Sequence, residues 1–246
     1  MRWNAFTLRK LLLLLLFVQL IACLIGSRVR QAKKEEFCRL QEEELYALGL
    51  SVDITSDRHV HDASSNGEGN FGIRSIRKLK QYQGLKTLDL SSFDPPPLSD
   101  AVCDEISDIH TLEYIELYGN ELSGNGFRAL LTLPKLKRLG VSDIDLDETA
   151  IQAIAGAPAI ENLCIHRVPV TDEEFAHLCQ LRTLDTLSIL DTQVTASGLR
   201  RLLSESVSLV EVRTDIVIPE LTGTVESDSI GTYRRTDAGT WIWGEQ

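Results

Sequence analysis

The chain is short of basic charge, of any cysteine framework and of every familiar catalytic motif. Its 246 residues carry 25 lysines and arginines against 36 aspartates and glutamates, a net charge of −11. Only Arg2, Arg9 and Lys10 precede the first apolar run, which leaves 22 basic against 36 acidic side chains, or −14, beyond residue 26. A body that acidic repels phosphate backbones, which argues against nucleic acid as a partner. The five cysteines (Cys23, Cys38, Cys103, Cys164, Cys179) lack pairing-like spacing, so no disulfide framework is expected. No phosphate-cradling glycine loop, nucleophile elbow or zinc-protease helix signature is present. His59-Val60-His61-Asp62 is the one metal-like cluster, and it lacks a further placed ligand. The expectation is therefore a chain with no catalytic residues, no cofactor and no metal, and not an enzyme. With 43% apolar and 25% charged residues, global disorder and low-complexity architectures are also excluded.

What is present begins with a run of leucines. Residues 11–26 read LLLLLLFVQLIACLIG, interrupted only by Gln19. Sixteen residues fall just short of the roughly 17–25 that cross a bilayer and slightly exceed the roughly 7–15 of a signal-peptide core. A single membrane-spanning signal-anchor is the leading reading. A lipoprotein anchored at Cys23 is the alternative, because Leu20-Ile21-Ala22-Cys23 has the form of a bacterial lipobox, and a cleaved signal peptide comes third. Basic residues flank both sides (Arg2, Arg9 and Lys10; Arg28, Arg30, Lys33 and Lys34), so the side of the membrane stays open.

The second feature is a repeat with a period of 24. Leu85-x-x-Leu88-x-Leu90 recurs as Leu112-x-x-Ile115-x-Leu117, Leu136-x-x-Leu139-x-Val141, Ile160-x-x-Leu163-x-Ile165 and Leu184-x-x-Leu187-x-Ile189. Leu209-x-x-Val212-x-Thr214 starts a sixth copy and loses its last apolar position. Downstream run three apolar columns: Leu98, Leu122, Leu146, Val170, Val194; Cys103, Phe127, Ile151, Phe175, Leu199; and Ile106, Leu130, Ile154, Leu178, Leu202. Apolar residues two apart predict a strand, and the later i, i+3 spacing predicts a helix. Between them stand Ser99, Ser123, Asp147, Thr171 and Thr195, side chains that accept hydrogen bonds from free helix N–H groups. Asp100, Glu148, Asp172 and Glu173 follow in the first turn, where the helix dipole favours acid. One such unit cannot bury its own apolar face, and stacking is required.

The L-x-x-L-x-L pattern at this period resembles the leucine-rich repeat family over residues 85 to about 214, and its helical half looks like the ribonuclease-inhibitor-like and cysteine-containing subclasses. Val170-Thr171-Asp172-Glu173-Glu174-Phe175 and Val194-Thr195-Ala196-Ser197-Gly198-Leu199 are similar to the I-T-D-x-G-L phrase of many bacterial repeats. The anchor followed by Gly26-Ser27-Arg28-Val29-Arg30-Gln31-Ala32 looks like short membrane-tethered repeat proteins of planctomycete-type bacteria. The resemblance implies an α/β solenoid with parallel strands on the concave side and helices on the convex side, here behind an N-terminal membrane helix. Two departures stand out. The asparagine-ladder position holds Asn120 once and otherwise Phe93, Ile144, Val168 and Thr192, and Asp94-Pro95-Pro96-Pro97 stretches the first unit to 27 residues.

The chain thus divides into a basic segment (1–10), an anchor (11–26), a juxtamembrane helix (27–48), an N-terminal cap with a degenerate repeat (49–84), repeats (85–214) and a C-terminal cap with a hairpin (215–246). Phe37, Leu40, Leu45 and Leu48 form one stripe of the expected helix. Val52-x-Ile54 reads as a capping strand, residues 62–70 as a surface loop, and Ile76, Leu79 and Tyr82 as the first repeat's helix. Trp241 and Trp243 share a strand face and are expected to cover the last core; a ligand-stacking pair is the minority reading. On the concave side the candidates for binding an unidentified protein are Tyr114, Glu116, Tyr118, Arg138, Asn162, Cys164 and His166, with Ser142, Thr186 and Ser188 beside them. Cys164 and His166 lie two apart on one face and could couple chemically, but ordinary strand occupancy is the expected role. A carbohydrate or envelope-polymer binding module is the alternative function.

Overall fold

The computed structural model describes residues 5–55, 57, 59–67, 71–91, 98–119, 122–218, 221, 230–237 and 239–245. Side chains before Phe17 lie outside the description, as do Phe93, Asp94-Pro95-Pro96-Pro97 and Asn120, so the lengthened turn and two asparagine-ladder positions are not addressed by it.

The elements follow the repeat. Helix α1 (Ala5–Ala47) leads into strands β1 (Leu50–Val52) and β2 (Asp62–Ser65), then helix α2 (Ile73–Leu79). Five strand-and-helix units follow: β3 (Thr87–Leu90) and α3 (Asp100–Ser107), β4 (Tyr114–Tyr118) and α4 (Gly124–Leu130), β5 (Arg138–Ser142) and α5 (Glu148–Ala155), β6 (Asn162–His166) and α6 (Asp172–Phe175), β7 (Thr186–Leu190) and α7 (Ala196–Glu205). Strand β8 (Glu211–Thr214) and the hairpin β9 (Gly231–Arg235) and β10 (Trp241–Glu245) complete the chain. All ten strands form one sheet in chain order, parallel from β2 to β8 and antiparallel at both ends. The architecture is an α/β solenoid.

The apolar frame forms its core. Leu88, Ile115, Leu139, Leu163, Leu187 and Val212 are direct neighbours across the sheet and fully buried. All three downstream columns are buried as well. After α6 the chain continues as a 3-10 turn, Ala176–Gln180, where a longer helix was expected. Phe175 and Leu178 are three apart, a spacing that three residues per turn serves directly.

The predicted cap column holds. Ser123, Asp147, Thr171 and Thr195 accept from the N–H of Asn125, Ala150, Glu174 and Ser197, and Thr171 with Glu174 closes a reciprocal capping box. Ser99 caps without a side-chain bond. Neighbouring helices also interlock: Ser123 donates to Asp100 (2.6 Å) and Thr195 to Asp172 (2.6 Å). A Cβ on Gly126 would collide with the Asp100 carboxylate, and one on Gly198 with that of Asp172. The aspartate one residue past one cap therefore nests over the glycine three residues past the next.

At the N-terminal end, three expectations need correction. The anchor and the juxtamembrane helix are parts of one unbroken helix, with no breaker between Gly26 and Ala47. Within its stripe Leu45 is fully buried, whereas Phe37 and Leu40 are exposed, because the helix meets the body only near its C-terminal end. Polar bonds fix that end: Tyr82 Oη donates to Gln41 (3.0 Å), Ile54 N to Glu42 (2.8 Å), and Lys78 pairs with Glu44 (2.7 Å). Asp62–Ser65, expected as loop, is strand β2, since a neighbouring strand on each side satisfies its backbone and Ala63 falls in the leucine column opposite Leu88. Among the described residues, no helix is long and apolar enough to cross a membrane.

At the other end the hairpin forms. Tyr233 is fully buried, Trp243 packs on it with ring centroids 4.6 Å apart, and Trp241 Nε1 donates to the Leu203 carbonyl (3.0 Å).

Candidate protein-binding face

Alternation along a strand sends every second side chain away from the helices. In-register pairing turns those side chains into rows. Tyr114, Arg138, Asn162 and Thr186 form the first, Glu116, Gly140, Cys164 and Ser188 the second, and Tyr118, Ser142, His166 and Leu190 the third. The seven candidates therefore meet on β4, β5 and β6, completed by Gly140 and Ser142, over an area of about 10 by 13 Å at ordinary strand spacings.

Within this lattice several side chains are already engaged. Tyr114 Oη donates to Glu116. The Glu116 carboxyl lies across Gly140, where any Cβ would collide with it. Burial raises its pKa, opposed by the Tyr114 hydrogen bond, and the nearby Asp89 carboxylate raises it further. Burial and the bond to Glu116 hold the Tyr114 phenol well above its usual range. Arg167, in the left-handed region at φ 52°, grips Asp143 with both carboxylate oxygens (2.8 and 3.0 Å from Nε) and lies 5.8 Å from the centroid of the Tyr118 ring. Arg138 is exposed and, among the described residues, makes no ion pair.

Among the described residues no hydrogen bond joins Cys164 to His166. His166 Nε2 bonds Ser188 Oγ (2.8 Å). Burial, together with Arg213 and Arg167, depresses the imidazole pKa. The Cys164 thiol is pushed upward by burial and by Glu116, opposite to what a nucleophile needs. Cys103 is buried, and its thiol is pushed up to about 12. His59 and His61 stand 6.3 Å apart between centroids, and among the described residues no group of three or more histidines, cysteines or acids could hold a metal.

Two columns escaped sequence reasoning. Immediately before the strands stand Lys86, Glu113, Lys137, Glu161 and Asp185, of alternating sign over the first four. Lys86 pairs with Glu113 (3.0 Å) and Lys137 with Glu161 (2.6 Å). The first four border a cleft of about 510 Å3 that also takes in His61, Asp62, Thr87, Tyr114, Arg138 and Asn162. Immediately after the strands, Gly119, Asp143, Arg167 and Asp191 all adopt positive φ. Gly119, Asp143 and Arg167 donate their N–H groups to Ser142, His166 and Leu190 of the next strand. Both columns lie in the same 24-residue frame as the leucines, so reading the frame for charge and for glycine or aspartate would have found them. Trp241 and Trp243 face the helix side, with Tyr233, so they do not stack on the open sheet face.

Rows of side chains on a parallel sheet backed by helices define a repeat solenoid with one open face. Neither a family model nor a curated protein matches the sequence. Among solved structures, the chain is similar to the crystal structure of PEPR1-AtPEP1, at 16% identity and a TM-score of 0.36 over 65% of this chain and 22% of that one. It is also similar to an internalin C2 from Listeria monocytogenes, at 16% identity and a TM-score of 0.35 over 63% of this chain and 80% of that one. The match spans about a fifth of the first chain's length.

Proposed function

We propose that the chain is a membrane-tethered, non-enzymatic leucine-rich repeat domain that binds another protein through the concave face of its sheet, of the kind that short membrane-anchored repeat proteins of planctomycete-type bacteria represent. The observation that carries the reading is the lattice on β4, β5 and β6. It presents tyrosine and arginine beside small and amide side chains, and Arg138 stands exposed at its edge without an ion pair among the described residues. Tyrosine and arginine are the residue types that concentrate binding energy at protein interfaces. Tyr114 and Tyr118 are held in place by their neighbours, which lowers the entropy lost on binding. The tether rests on the apolar run within α1, whose residues Phe17, Leu20, Leu24 and Ile25 are each more than half exposed, a run of exposed apolar side chains of the kind that marks a membrane or interaction site. The carbohydrate reading draws no support from Trp241 and Trp243, whose rings are spent on the core.

The test places a photo-crosslinking residue in the full chain, in its native membrane, at Asn162 on the sheet face or at exposed Gln152 on α5. A single partner adduct at Asn162, absent at Gln152 and lost with Arg138→Ala, supports the reading. Equal adducts at both positions, or none at Asn162, overturn it.

A further inference from the structure

Helix α1 changes character within two turns. From Phe17 to Ile25 its exposed side chains are apolar apart from Gln19, and then Arg28, Arg30, Lys33 and Lys34 follow, all exposed. Among the described residues none of the four forms an ion pair. Glu35, the nearest acid, accepts from Gln31 (3.0 Å). Gly26, Arg30, Lys33 and Lys34 share one face by their i, i+3 and i+4 spacing. The Arg30 guanidinium reaches back toward the apolar run, as long helical side chains do, and its Nη1 lies 3.7 Å from where a Cβ on Gly26 would stand. A shallow recess of about 450 Å3 opens between Ser27, Arg30, Gln31, Lys34 and Glu35.

Beyond residue 34 the balance reverses, to 18 basic against 36 acidic side chains, or −18. The body is joined to α1 through Gln41, Glu42, Glu44 and Leu45, with no break in the helix before them. Four unpaired cations thus sit where the apolar part of α1 ends, and a strongly acidic body begins about two helical turns further on.

We propose that Arg28, Arg30, Lys33 and Lys34 form a collar that binds the headgroups of anionic phospholipids, with Gly26 and Ser27 leaving room for the phosphate. The collar draws the helix to the negative surface while the same surface repels the body, so the solenoid stands off the membrane on a rigid stalk. This rests on the membrane-tether reading above.

The test incorporates the full chain into lipid nanodiscs of phosphatidylcholine alone or with one-fifth phosphatidylglycerol, and counts the lipids retained on gentle extraction by native mass spectrometry. Wild-type protein is expected to retain phosphatidylglycerol about fivefold above its bilayer share, the factor that one basic side chain supplies at an anionic surface. The variant Arg28→Gln/Arg30→Gln/Lys33→Gln/Lys34→Gln, which alters only exposed side chains, is expected to retain lipids at the bulk ratio. Incorporation without enrichment, or equal enrichment in both proteins, overturns the collar and leaves the tether standing. Failure to enter either bilayer overturns both.

Discussion

The two ends of the solenoid face the same problem and solve it with opposite chemistry. At the N-terminal end Ala63 takes the strand-column position, α2 buries Ser75, and α1 packs on β1 and α2 with Leu45 fully buried. Ser75 Oγ donates to the Leu48 carbonyl (2.8 Å) and accepts from Gly72 N (3.0 Å). At the C-terminal end large aromatic rings fill the space. Tyr233 takes the position opposite Val212, Trp243 lies on it, and Gly231 is bare because a Cβ there would strike the indole. The tyrosine hydroxyl accepts from Ile218 N (2.7 Å) and donates to the Ile216 carbonyl (3.3 Å). A repeat end is thus sealed either by small residues under a helix or by large rings under a hairpin.

The largest effect is expected where one ring does most of the sealing. Tyr233→Ala should lose about 3–5 kcal/mol in urea denaturation, the range for emptying a buried aromatic site. Tyr233→Phe should lose about 1–3 kcal/mol, because the buried hydroxyl's bonds to Ile218 N and the Ile216 carbonyl are removed. Equal losses would show that the hydroxyl, not the ring, closes this end. Leu45→Ala should cost about 2–5 kcal/mol; a loss below about 0.5 kcal/mol, the size of an ordinary surface change, would mean that α1 is an appendage and the seal lies elsewhere.

Smaller effects separate the ends from the regular interior. Gly198→Ala is expected to cost about 1–3 kcal/mol by overpacking against Asp172. Asp172→Ala in the same chain should return part of that loss, since the two residues are in contact. Additive losses would dismiss the nesting of aspartate over glycine. The smallest effect concerns the sheet face. The raised Glu116 pKa means that the folded state holds this proton more tightly than the unfolded chain, so its contribution to stability falls as pH rises through the carboxylate range. Glu116→Gln should therefore raise Tm relative to wild type at pH 7, with the difference closing by about pH 3, where the wild-type carboxyl is protonated in both states. A difference that grows toward low pH would contradict the burial assigned to this group.

Sequence reasoning was strongest where one physical demand repeats. The leucine columns, the hydroxyl and aspartate caps and the terminal hairpin are each visible because burial and helix capping impose a residue type at a fixed spacing. It was weakest at the N-terminal cap. Asp62-Ala63-Ser64-Ser65 carries the composition of a loop, and only its neighbours' unpaired backbone makes it a strand. The seven candidates on the sheet face could be named from alternation alone. Their engagements could not, because the bonds of Tyr114 with Glu116 and of His166 with Ser188, and the arginine over Tyr118, depend on where each side chain comes to rest.

The amino-acid order alone determined the period, the alternation of strand and helix and the rows that share a face, because backbone geometry converts spacing directly into direction. Tertiary structure alone decided how the ends close, which charges stay unpaired and which carboxyl holds its proton more tightly than usual. Those outcomes depend on distances between residues far apart in the chain, and spacing along the chain says nothing about such distances.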